Sequence, residues 1–544
     1  MPPNSPEEAP RSPHPPAAAS RQPQAASRKP PAASRTLPLL LLILALALAL
    51  RLFHISRMSL WLDESLGILF SRKSGPGFWH LIRLDVHPPL YFLILRLLDA
   101  IWGSPLFFRL FSVICGTAAL AVFYAALSRR ADSSARLLSL LFLAASPVCI
   151  HYSQEIRMYA LLLLFAMIAL WAVLRFAERP EWPPFLLFCL AGGAMVYTHY
   201  FSWVFLAGCL VYLFWERIVA GEGRLHALAC SLRTGLVIVI FYLPWLGVFQ
   251  EHLASSAFGG RHSQGHLGTM SRTLIEYFTQ LFGGVMPWVP LEKTVLFRSD
   301  PYHLGSLGWW IFFIFVAVIF VRGLILMKRA DRLFRPVLSI LGTGFILTML
   351  HLAFRGRFYS RCFIIYLPLV FYVTARGIVG INGRILRATA VIYLSLCLLV
   401  PSLLYLSMDI RDVTRPLALR LKEAAGPSEP IVHTGKFSYF PLKVVFPERR
   451  QYLVDTASLL LQERTLAGED LIEKTALPDL GEPYWLIVEY WGRPAAWDEE
   501  SFWIHILEEK GHQCTPVFSR RMGVKTCTLL QIGGQTLSKY NEFP

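Results

Sequence analysis

Two short segments concentrate side chains that can move protons or hold charge. Trp61-Leu62-Asp63-Glu64-Ser65 sets two carboxylates side by side, and Asp85-Val86-His87-Pro88-Pro89-Leu90-Tyr91 adds a third with an imidazole two residues on. Both follow an apolar run at residues 37–55, where charge without a purpose is costly. A carboxylate can take a proton from a hydroxyl, and an acid with a nearby histidine suits a metal or phosphate site. A divalent metal ion at Asp85 is therefore an expectation. The competing reading of the first segment is an ordinary solvated loop. The paired prolines end the second segment and fix the entry into the next helix.

Further along stand Tyr152-Ser153-Gln154-Glu155-Ile156-Arg157-Met158-Tyr159, Tyr197-Thr198-His199-Tyr200-Phe201 and Arg357-Phe358-Tyr359. Gln154 and Glu155 come at the end of an apolar run, where a carboxylate must meet a partner, and Arg157 is near in sequence. His199 lies in a tight connection, a place for a structural hydrogen bond as much as for a sugar or cation contact. Trp61, Phe78, Trp79 and Tyr91 can contact a sugar or anchor at a membrane interface. The stretch 250–308 carries His252, His262 and His266 without tight zinc spacing. It reads as a mobile lid.

The elements that must position these residues are membrane helices. The chain has 544 residues, 55% apolar and 16% charged, with a mean hydropathy of +0.48, well above the balance of soluble domains. The net charge of +16 comes from Lys and Arg in short clusters between apolar runs, the pattern of membrane topology and not of a nucleic-acid face. Spans are expected near 37–55, 105–127, 137–152, 158–176, 184–200, 201–216, 233–249, 309–327, 336–354, 362–380 and 386–407. The first is read as an uncleaved span, although it could pass for a signal segment. Residues 88–102, interrupted by Arg96 and Asp99, are read as interfacial.

The alternating loops then sort by charge. Those holding Arg129/Arg130/Arg136, Arg175/Arg179, Arg217/Arg224/Arg233, Lys328/Arg329/Arg332/Arg335 and Arg384/Arg387 fall inside with the N-terminal tail. Asp63, Asp85, Glu155 and His199 fall outside. Three regions follow: a disordered cytoplasmic tail over 1–36, rich in Pro, Ala and Ser; a transmembrane domain of about eleven spans over 37–408; and an outer α/β domain over 409–544. The last shows a helix-like stretch (Arg415 to Ala425), strand-like runs (Ile431 to His433, Trp485 to Tyr490) and an amphipathic stretch (Ser501 to Lys510). Seven of nine cysteines sit in or beside apolar runs. Cys514 and Cys527, the two in the outer domain, are expected to pair in an oxidising compartment.

Taken together, the motifs over about residues 37–380 resemble glycosyltransferase family 39 and its bacterial relatives, the protein O-mannosyltransferases and lipid A aminoarabinose transferases. The order of motifs is similar to that of bacterial mannosyltransferase-like membrane proteins. The resemblance implies an all-α polytopic membrane protein of the type C glycosyltransferase fold with a small extramembrane α/β domain. It implies an inner-membrane enzyme, active on the periplasmic side, that moves a mannose-like hexose or a pentose from a polyprenyl phosphate to a glycan, lipid or protein hydroxyl with inversion. Membrane lipids are then partners and nucleic acid is not.

By that resemblance Asp63 matches the catalytic base, Glu64 its acidic neighbour and Asp85 a second loop acid. His87, Gln154, Glu155, Tyr159 and His199 stand in the substrate-binding segments. A polyprenyl phosphate leaves as a stable anion that needs positive charge more than an acid. Arg157 and Arg357 are candidates for it, since guanidinium grips phosphate in a bidentate way. Arg355 and Arg361 are weaker ones, read equally well as snorkelling to headgroups. A transporter of lipid-linked sugar is the competing class, but it would bury charge along a mid-membrane path between related halves. Here the acids cluster outside and no repeat is visible. A structural or acceptor-binding membrane protein is the third class.

Overall fold

The computed structural model describes residues 33–254, 307–355, 360–407, 413–473, 483–491, 499–522 and 525–533, apart from Arg129, Ala457 and Lys510. Seven helices in it are long and apolar enough to cross a membrane. They are α5 (Pro105–Ala126), α8 (Tyr159–Glu178), α10 (Ser202–Val219), α11 (Arg224–Ala254), α12 (Leu307–Ala330), α13 (Phe334–Arg355) and α15 (Arg384–Ser407). The pair α6 (Ser133–Ala145) and α7 (Pro147–Ser153) makes an eighth candidate, bent by 59°. The bend is local chemistry: Pro147 has no N–H to continue the ladder, and the Ser146 hydroxyl accepts from Cys149 N to start the new helix. Shorter apolar helices are found at Thr36–Leu52 within α1 (Ala33–Leu52), at α9 (Trp182–Thr198) and at α14 (Leu367–Val379). The architecture is that of an all-α multi-pass membrane protein followed by a small α/β domain.

Between α1 and α5 lie α2 (Leu62–Arg72), α3 (Gly75–Leu84) and α4 (Leu90–Trp102). At 13 residues, α4 extends about 20 Å, short of the roughly 30 Å of a bilayer core. It buries Tyr91, Phe92 and Leu95 and exposes Leu97, Ile101 and Trp102. The spans themselves approach closely where a side chain is missing. A Cβ on Gly377 of α14 would stand 2.1 Å from the Ile319 carbonyl oxygen of α12, so only glycine lets these backbones touch.

After α15 the chain forms a six-stranded sheet in the order β3-β2-β1-β4-β6-β5. Its strands are β1 (Ile431–His433), β2 (Gln451–Val454), β3 (Leu471–Ile472), β4 (Tyr484–Trp491), β5 (Cys514–Met522) and β6 (Lys525–Ile532). The first four are parallel, and β6 and β5 close the edge antiparallel. Helix α16 (Thr414–Ala424) covers one face through Leu417 and Leu421, and α19 (Glu499–Glu509) covers the other through Trp503 and Leu507. The parallel strands are buried on both faces and read as continuous apolar runs.

The domain does not hang free. Tyr439, Phe440 and Val444 of α17 (Lys436–Val445), with Leu459 and Leu466 around α18 (Leu461–Ala467), belong to one apolar cluster with Leu66, Phe70, Phe78 and Leu81 of α2 and α3. The Arg415 guanidinium donates to the Arg57 carbonyl, and Arg415 N donates to Ser59 Oγ at 3.2 Å. The expected disulfide is corrected by register. Cys514 stands opposite Ile532 and Cys527 opposite Arg520, and the two form no disulfide with each other. The five-residue offset between Ile532 and Cys527 is about 17 Å along the strand, while a disulfide needs Cα atoms within about 7 Å.

Candidate active site

A buried layer of charge holds the loops in place. Glu64, fully buried, takes Arg109 of α5 in a fork, Nη2 to Oε2 at 2.9 Å and Nε to Oε1 at 3.3 Å, and also accepts from Ile156 N at 2.9 Å. Arg109 spends its other donors on the carbonyls of Ile55, Met58 and Ser59. The fork ties α2, the chain after α1, the start of α5 and the α7–α8 connection into one block. Arg51 does the same one turn earlier, donating to Ser153 Oγ at 3.1 Å and to the Ala47 carbonyl at 2.9 Å. Gln154 is also fully buried, and its amide donates to the carbonyls of Arg51 and Phe53, both at 2.9 Å. These are the orphan carbonyls that any helix C-terminus must satisfy. The Glu64 carboxylate and the Gln154 amide N–H donors thus go to holding the chain.

The neighbouring carboxylate has a different setting. Asp63 follows Leu62 into the first turn of α2, and one helical step turns its side chain about 100° from that of Glu64. Its Oδ2 lies 3.7 Å from Arg157 Nη2 and 3.6 Å from Arg361 Nη1, and the side chain keeps 26% exposure. Arg157 also reaches the Asp63 carbonyl at 3.5 Å. Arg361, in the 3-10 turn Ser360–Ile365, stands 5.6 Å over the ring of Tyr159. Two buried donors here have no hydrogen-bond partner among the described residues, Arg157 Nε and the Tyr159 hydroxyl. Unmet donors beside two guanidiniums are what an anionic oxygen-rich ligand would satisfy.

The second loop acid is fixed more tightly. Asp85 Oδ1 accepts from His87 N at 2.9 Å and from His87 Nδ1 at 2.7 Å. Burial opposes ionisation of Asp85, but the bonds and charge of His87, with Arg157 nearby, hold the carboxyl below its ordinary range. Burial, helped by Arg157 and Arg361, lowers the His87 imidazole despite Asp85. His87 is neutral at pH 7, with its proton on Nδ1 and its Nε2 lone pair 3.5 Å from Arg157 Nη2. His199 stacks edge-on with His87 at 5.7 Å. Its Nδ1 accepts from Phe201 N at 3.1 Å, and burial, then His87 and the two arginines, lowers it well below the usual value. Tyr159 lies between Tyr152, at 4.7 Å, and His199, at 6.0 Å.

Glu155 is buried and faces His151 across 3.7 Å, and His151 reaches the Tyr405 hydroxyl at 3.1 Å. Arg357 and the stretch 255–306 lie outside the described residues, so the expected donor contact and lid are not placed. His252, at the start of that stretch, meets the Tyr200 hydroxyl at 2.7 Å and the Arg83 carbonyl at 2.8 Å. The set around Asp85 does not fit the expected divalent ion. One oxygen already serves His87, its near charges are guanidiniums, and among the described residues no group of three or more His, Cys, Asp or Glu side chains is gathered for a metal. Sequence reasoning missed Arg109 altogether and under-weighted Arg361. The signal for Arg109 was a lone charge in a 22-residue apolar helix.

Residues 86–247 match the family model described as dolichyl-phosphate-mannose-protein mannosyltransferase. The match takes in His87, Arg157, Tyr159 and His199 and leaves Asp63 and Arg361 outside it. No curated protein sequence matches. In fold, the chain is similar to ArnT from Cupriavidus metallidurans in the apo state, at 13% identity and a TM-score of 0.59, over 92% of this chain and 98% of that one. ArnT bound to undecaprenyl phosphate superposes at 14% identity and a TM-score of 0.56, with the same coverage. An archaeal oligosaccharyltransferase, AglB from Archaeoglobus fulgidus, gives 11% identity and a TM-score of 0.48 over 84% of this chain and 69% of that. The family match and the shared ArnT fold bear out the resemblance read from the motifs.

Proposed function

We propose that the protein transfers a sugar from a polyprenyl-phosphate carrier to an acceptor hydroxyl on the non-cytoplasmic face of the cell membrane, by one inverting displacement. The observation that carries the reading is Asp63. Of the three loop acids, Glu64 and Asp85 are buried and bonded, while Asp63 keeps part of its carboxylate open between Arg157 and Arg361.

The acceptor hydroxyl gives its proton to Asp63 as its oxygen bonds to the anomeric carbon. The bond from that carbon to the carrier phosphate breaks, and the electron pair leaves on the phosphate. Arg157 and Arg361 meet that charge. Without donor, both guanidiniums rest on Asp63; a phosphate competes for them and leaves the carboxylate free to take the proton. The neutral His87 and His199 and the ring of Tyr159 line the same mouth, in keeping with a sugar between the phosphate and the acceptor. The clustering of loop arginines on the other face supports the orientation. ArnT's capture of undecaprenyl phosphate supports the class of carrier. A mannose-like hexose or a pentose is the proposed cargo.

Full-length protein in lipid nanodiscs, given a panel of labelled polyprenyl-phosphate hexoses and pentoses with membrane extract, tests the reading. Label should pass from one donor to an acceptor with inverted anomeric configuration. Movement of intact lipid-linked sugar across a proteoliposome bilayer, with no transfer, would establish the transporter instead.

A further inference from the structure

The outer domain reaches into the site at one point, where Gln462 Nε2 donates to Asp85 Oδ2 at 3.5 Å. Asp85 is ionised, so it accepts only, and the amide must present its N–H. The helix that carries it is braced. Leu460 N donates to Glu463 Oε2 at 2.7 Å, and the same buried carboxylate holds Lys436 Nζ at 2.8 Å. Lys436 begins α17, which packs on α2, the helix of Asp63, while α18 packs on α3, which leads to Asp85. The two helices around Gln462 thus lean on both acid-bearing loops.

From Asp85 the bonds continue inward. Its other oxygen fixes the His87 ring through Nδ1, which turns the Nε2 lone pair to Arg157 Nη2. Arg157 is the guanidinium that sits on Asp63. We infer that Gln462 of the outer domain is a positioning residue for Arg157, acting through Asp85 and His87, and so helps set the affinity for the carrier phosphate. The inference rests on the proposed reading of Arg157 as a phosphate ligand. Its physical content is that Asp85, with three donors on it, is pinned to His87. Freed of Gln462, its carboxylate can swing toward Arg157 and compete with the phosphate for the same donors.

Undecaprenyl phosphate binding to the full-length protein in nanodiscs tests it, with Q462L, which loses the donor, and Q462K, which keeps one. Loss of one such bond should weaken binding about three- to tenfold in Q462L, raise KM for the donor more than it lowers kcat, and leave the unfolding midpoint unchanged. Q462K should return to within about twofold of the parent. Equal binding by Q462L and the parent overturns the inference, as does a Q462K protein as weak as Q462L, because lost packing would then be the cause. A parent protein that fails to bind undecaprenyl phosphate sinks the reading of the site itself and the inference with it.

Discussion

Two clusters of charge share the same helix ends in this protein and live by different rules. In the inner cluster Glu64, Arg109, Arg51 and Gln154 are buried, and nearly all their hydrogen-bonding capacity goes to the chain. In the outer one Asp63 and Arg361 remain about a quarter exposed, their contacts run to 3.6 Å and 3.7 Å, and donors of Arg157 and Tyr159 are unmet. A network whose donors and carboxylate are already bonded to the chain serves first to position it. A slack, partly solvated one can exchange its internal contacts for a ligand's. Asp63 and Glu64 are adjacent residues on opposite sides of this divide, so the number of bonds already made, more than residue type, separates the acid proposed as base from the one that holds the chain.

The sharpest test of the divide is the pair of isosteric changes. Asp63→Asn keeps shape and removes basicity, so transfer should fall by roughly 10²- to 10⁴-fold with donor binding little changed. Near-normal turnover in that variant, measured with the true acceptor, would move the base elsewhere. Arg109→Met, which leaves the buried Glu64 without its counter-charge, should instead destabilise the fold by about 3–5 kcal/mol. Thermal unfolding in nanodiscs reads this, and an unchanged midpoint would show that the inner cluster is not a structural anchor.

A smaller effect is expected at the two arginines beside Asp63. Arg157→Ala and Arg361→Ala should each weaken undecaprenyl phosphate binding about tenfold or more, as loss of a charge-assisted contact does, with unfolding close to that of the parent. If only Arg157 mattered, Arg361 would return to the snorkelling role that its position first suggested. No effect at all is expected from reductant on the C-terminal α/β domain. Dithiothreitol should leave its protease resistance unchanged, and mass mapping without reductant should find no bridge between Cys514 and Cys527. A mapped Cys514–Cys527 bridge would require a shift in register of β5 on β6.

Much of the architecture was written in composition and period. Apolar runs marked where the long apolar helices lie. The strand-like runs at Ile431 to His433 and Trp485 to Tyr490 fall on β1 and β4, because buried parallel strands need continuous apolar residues. The loop acids and Arg157 were visible too, since charge at the edge of a membrane span announces a partner or a purpose. What one-dimensional pattern cannot carry is which partner. Arg109 finds Glu64 across 45 residues and Gln462 finds Asp85 across 377, and only the folded chain brings them together. The same holds for Cys514 and Cys527, where being the only two in a domain suggested a bond that strand register forbids. The sequence by itself determined that charge would gather at one end of a helical bundle. The tertiary structure decided which of those charges are spent on the fold and which stay open to a ligand, because that depends on hydrogen bonds between segments remote in the chain.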